Sequence, residues 1–155
     1  MSRRDAISRL IETLARERQA AAELLELLRQ EQQALIGGDA DCVAAGLHAK
    51  AEQLSRLSEL GEHRSGLLSL LGIEAHADAV EIGLGAEADA LKAWRDLLAA
   101  MREARRMNSV NGLLIHERLL ANQGALAALA PPGRSLYGRH GRSEDGWDRR
   151  ELGAA

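Results

Sequence analysis

Apolar residues recur along this chain at alternating steps of three and four, the spacing that lines side chains along one stripe of an α-helix. In the first segment the stripe runs through Ile7, Leu10, Leu14, Ala21, Leu24, Leu28 and Leu35, with Ser2 and Asp5 placed ahead of it as a capping pair. Gly37-Gly38-Asp39 then supplies a helix stop, a turn and a new N-cap, because glycine tolerates left-handed backbone and an aspartate oxygen accepts from orphan amides. The second stripe passes through Val43, Leu47, Leu54, Leu57, Leu68 and Leu71 and ends at Gly72. Residues 73–86 lose the repeat and contain Gly83 and Gly85, so a connection with one short turn of helix is expected there, the loosest part of the fold. The third stripe, through Leu91, Trp94, Leu98, Met101, Asn108, Ile115, Leu119, Asn122, Leu126 and Leu129, meets no proline until Pro131-Pro132-Gly133.

Each stripe is too narrow for a helix buried on all sides and suits a seam, so the pattern predicts an all-α fold: a long antiparallel three-helix bundle, coiled-coil-like, with a flexible C-terminal tail. The expected helices cover about 3–36, 40–71 and 87–129, giving a bundle over 1–130 and a tail over 131–155 whose aliphatic content is too low to offset its ordering entropy. Folding the chain at Gly37 and near Asp78 places Glu26, Lys50 and Asn108 at roughly one level, where a polar layer would set register. The same folding brings Arg64 to the level of Trp94, with its cation over the indole face.

Composition reinforces the helical reading. The chain is 46% hydrophobic but only 2% aromatic and has no Phe, so leucine and alanine must do the packing. A net charge of −3 gives no general reason for nucleic-acid or membrane-surface binding. No apolar run reaches the roughly 18 residues that would predict membrane insertion, and no signal core follows Met1, so a cytoplasmic location is expected. The lone Cys42 fits a reducing compartment.

Candidate chemistry is sparse. His48, His63, His76, His116 and His140 form no helical metal-ligand pair, and no nucleophile elbow, phosphate loop or dinucleotide turn occurs. Neither an enzyme nor a cofactor or metal site is expected. Arg102, Arg105 and Arg106 form a basic cluster without interleaved aromatic residues, which favours a solvated helix face over a nucleic-acid site. More informative is the end of the third helix. Ile115, Leu119, Leu126 and Leu129 continue the core stripe there, while Leu113, Leu120 and Ala127 run along nearly the opposite side. That second stripe suits either scattered surface leucines or a groove for a partner helix. Asn108, Asn111 and Gly112 soften the helix just before it.

Two segments carry a family resemblance. Asn108-Ser109-Val110-Asn111-Gly112-Leu113 resembles the Asn-x-x-Asn-Gly-apolar signature of FlgN-type flagellar export chaperones, and Tyr137-Gly138-Arg139-His140-Gly141 resembles their Tyr-Gly-x-x-Gly tail. Membership would imply a chaperone for the hook-filament junction proteins FlgK and FlgL that delivers them to the flagellar type III export apparatus. It would assign Asn111, Gly112, Leu113, Leu114 and Leu120 to substrate contact, and Tyr137 to docking on the export gate protein FlhA. Arg139 and His140 within the tail motif depart from the family pattern. The alternative is a self-associating coiled-coil scaffold or adaptor, a homodimer through Leu113 and Leu120, with no export role.

Overall fold

The computed structural model describes residues 2–129, and these are helical apart from short turns, with no strand among them. Helix α1 spans Arg3–Gly37, α2 Ala40–Leu70, α3 Ala77–Gly83 and α4 Ala88–Leu129. The chain divides into two units, Met1–Arg118 and Leu119–Ala155.

Local chemistry explains the helix ends. At the start of α1 the Asp5 amide donates to Ser2 Oγ (3.1 Å) and the Ser2 amide to Asp5 Oδ2 (3.2 Å), the reciprocal capping box expected from these residues. The Ser2 hydroxyl, which donates to Asp5 Oδ2 at 2.8 Å, and then the Ser2 amide hold the Asp5 carboxyl below its ordinary range. Gly38 closes α1 at φ 79°, a conformation costly for any residue with a Cβ, and its amide returns to the Ala34 carbonyl. Asp39 then caps α2, accepting from the Cys42 amide at 2.9 Å. Ion pairs fix the direction of the next helix: Glu31 to Lys50, Glu23 to Arg56 and Glu17 to Arg64 step down α1 as they step up in sequence along α2, so the two are antiparallel.

Two apolar clusters hold the first unit together. One gathers Leu10 and Leu14 of α1, Leu67 and Leu68 of α2, and Trp94 and Leu97 of α4 around Ile73, Val80 and Leu84. Each fully buried leucine there contributes about 1.5–3 kcal/mol. The other, built on Ala20, Ala21, Leu24 and Leu28 of α1 with Leu57 and Ala104, is rich in small residues that let backbones approach.

The connection over 73–86 differs from its expected looseness. It contains α3, capped by His76, whose Nδ1 accepts from the Ala79 amide at 3.2 Å, and it buries Ile73, Val80 and Leu84 in the first cluster. Arg95 of α4 grips Glu81 of α3 through Nε (3.0 Å) and a terminal nitrogen (2.6 Å). Gly83 is needed there, since a Cβ at that position would lie 2.7 Å from Ile73 Cγ1. Three apolar residues spaced without a helical repeat can still plug the end of a core.

The loose end is the opposite one. Leu47 and Leu54 belong to the second seam, yet they are 57% and 51% exposed, and no residue of α2 before Leu57 is buried. On α4, Ile115, Leu119, Leu126 and Leu129 were expected in the core stripe and are instead exposed. The C-terminal tail, expected from 131 onward, lies outside the described residues.

Candidate functional site

The polar layer exists, about one turn away from its expected place on two helices. Glu26 and Asn108 are exposed, and the layer is made instead by Glu31, Lys50 and Asn111. Lys50 Nζ donates to both Glu31 carboxylate oxygens at 3.1 Å. Asn111 Nδ2 donates to the Leu28 carbonyl at 2.8 Å and to Glu31 Oε2 at 2.7 Å. About two turns later along α4, Arg118 donates to the Ile36 carbonyl at 3.0 Å, which places a cation at the negative end of α1. Asn111 and Arg118 meet α1 in ascending order, so α4 and α1 run parallel.

Asn111 therefore differs from its assignment to substrate contact. It is 1% exposed, its amide is spent on α1, and it faces the interior. The motif Asn-Gly reads as an anchor followed by an open step: Gly112 is exposed, and a Cβ built there would touch nothing within 4 Å among the described residues. Replacing Asn111 with alanine should cost about 2 kcal/mol, since a buried donor and two hydrogen bonds disappear and a small void remains. Urea unfolding would measure it, and a loss under about 0.5 kcal/mol would mean that Asn111 is not the anchor described.

The remaining candidates lie at the surface. In the first unit Leu113 is 66% exposed and Leu114 is half-buried. In the second unit every described residue, Leu119 to Leu129, is exposed, with Leu120 at 55%. These side chains are apolar and offer contact area to water or to a partner. Tyr137 lies outside the described residues.

Sequence reasoning located one further element well. Arg64 lies 5.4 Å from the centre of the Trp94 ring and pairs with Glu17, which the sequence reading passed over. Glu17 is buried, and burial pushes its carboxyl above the ordinary value while Arg64 pulls it back. Its position on the α1 stripe, in step with Leu10, Leu14, Leu24 and Leu28, was the available signal. Among the described residues no group of three or more His, Cys, Asp or Glu side chains is placed to hold a metal ion, and no helix is long and apolar enough to cross a membrane. A hollow of about 570 Å³ between Arg3, Arg4 and Ile7 of α1 and residues 86–90 has both signs of charge on its walls.

Comparison with known proteins yields one finding. Neither the curated proteins nor the solved structures compared with the chain give a match. A family model described as FlgN protein matches residues 1–145, a span that takes in every described helix, the Asn111-Gly112 step and Tyr137. With nearly its whole length matched, an all-helical build and an exposed apolar helix end, the chain belongs to the FlgN family of flagellar export chaperones.

Proposed function

We propose that the chain is a cytoplasmic chaperone for the hook-filament junction proteins FlgK and FlgL, which it holds and delivers to the flagellar type III export apparatus. The observation that carries this reading is the uncovered end of α4, where Leu113 and Leu120 stand more than half exposed on a helix whose earlier turns are packed. Export substrates that assemble through helical segments would associate early if left bare, and an apolar helix face lends them a temporary partner. In this reading residues 1–130 act as an antiparallel three-helix bundle that supports the binding helix, through Gly112, Leu113, Leu114 and Leu120. Tyr137, in the tail over 131–155, docks on FlhA. The chain works by binding and needs neither cofactor nor catalysis.

Light scattering tests the reading against a self-associating scaffold. With FlgK or FlgL added, a heterocomplex of defined mass is expected, whereas a homodimer that ignores both proteins would support the scaffold. Deleting residues from Pro131 onward should leave FlgK binding intact and remove binding to FlhA. Gate binding that survives the deletion would take the docking role away from Tyr137.

A further inference from the structure

The seam between α2 and α4 is closed at one end of the first unit and open at the other. On α2 the positions Leu47, Leu54, Gly61 and Leu68 follow one another at intervals of seven and so share one line of the helix. Leu68 is buried beside Trp94, and Gly61 lies against Glu17 and Arg64, but Leu47 and Leu54 are exposed. The facing lines of α4 behave alike. Trp94 and Met101 pack into the core, yet Asn108 on the same line is exposed and Ile115 is 37% exposed. Leu91 and Leu98 pack against the core as well, while Arg105 and Gly112, next on their line, are exposed.

The line of α4 that meets α1 stays engaged throughout, through Ala90, Leu97, Ala104, Asn111 and Arg118. Helix α4 therefore remains attached to α1 while it parts from α2. The Arg64–Trp94 contact sets the level of the two antiparallel helices, so Leu54 stands opposite the turn of Arg105 and Leu47 opposite that of Asn111.

We infer that this opening is a cleft that receives an amphipathic helix of the export substrate, its apolar stripe on Leu47 and Leu54 of α2 and its acidic flank toward Arg102 and Arg105 of α4. The inference rests on the proposed chaperone role and adds a second wall to the binding site. Charge argues for the occupant. Arg106 is paired with Glu103, but among the described residues Arg102 and Arg105 pair with no carboxylate, whereas the α2 rim carries the uncharged Ala44, Ala51 and Ser58. A helix with acids on one flank matches a cationic wall facing an apolar one. Gly112 argues for close approach: a glycine inside a helix is unfavourable, and among the described residues nothing lies within 4 Å of where its Cβ would be.

Calorimetric titration of the full chain with purified FlgK tests the cleft. Leu47→Asp with Leu54→Asp should weaken binding about tenfold or more, with helix content and urea midpoint unchanged because both leucines are exposed. Arg102→Glu with Arg105→Glu should weaken it too and flatten its dependence on salt. If the α2 variant binds as wild type does while Leu113→Asp with Leu120→Asp does not, the cleft is overturned and the chaperone role stands. If the α2 variant only loses self-association, the occupant is a second copy and the inference fails. A wild-type chain that binds neither FlgK nor FlgL overturns both.

Discussion

Replacing Arg64 with leucine is expected to cost about 3 kcal/mol at neutral pH, the largest stability effect of any surface-reaching residue here. Its guanidinium faces two groups at once, the Glu17 carboxylate and the Trp94 ring. The Glu17 side chain is 4% exposed, Arg64 donates to its Oε1 and its buried Oε2 has no hydrogen-bond partner among the described residues, so removing Arg64 leaves a buried charge uncompensated. The pH dependence distinguishes this cause from simple loss of packing. Burial raises the folded-state value of Glu17, so its contribution is most favourable when it is protonated, below the ordinary 4.5, and is lost as pH rises through the raised folded value. Without Arg64 that value rises further, and the loss extends over a wider window toward neutrality. The difference between wild type and Arg64→Leu should therefore be greatest at neutral pH and shrink as pH falls toward 4.5. Urea unfolding at several pH values would show it, and a difference that does not change with pH would argue for packing alone. Adding Glu17→Leu to Arg64→Leu should restore most of the loss, since an apolar pair can replace a buried ion pair.

The second large effect concerns binding. Leu113→Asp with Leu120→Asp should reduce affinity for FlgK by about a hundredfold or more, the scale expected when apolar anchors at the centre of an interface are replaced by charges. Stability should change by less than about 0.5 kcal/mol, because both side chains are already in water in the free protein. Circular dichroism and calorimetry on the same samples separate the two outcomes. Binding at wild-type strength would show that the substrate does not use this face of α4.

What could be read from the chain, and what could not, divides along a physical line. Helix boundaries rest on local chemistry, and Ser2 with Asp5, Gly38 and Asp39 declare theirs in neighbouring residues. The meeting of Arg64 and Trp94 was legible too, because a fold near Asp78 and helices of constant rise fix the levels. Whether a seam is covered is another matter. Leu54 and Leu57 sit on adjacent seam lines with the same chemistry, and one is exposed while the other is buried, since only the course of a distant helix decides. For the same reason Ile115 and Leu119 look like core residues in the sequence. Asn108 and Asn111 lie less than a turn apart, and an error of that size exchanged the exposed one for the anchor. The apolar residues of 73–86 escaped notice because α3 is too short to show a period.

These same features suggest a division of roles along the first unit. The cluster around Trp94 and Val80 supplies stability, the Glu31–Lys50–Asn111 layer fixes α4 on α1, and beyond it apolar surface is left for another chain. Stability and binding should then respond to different substitutions, as the Arg64 and Leu113 experiments require.

Hydrogen exchange of the full chain with and without FlgK tests the central claim most directly. Strong added protection over the second half of α4, roughly 108–129, with little change around Leu10, Val80 and Trp94, is the expected result. Protection confined to α1 or to the α3 end, with 108–129 exchanging as in the free protein, would contradict it.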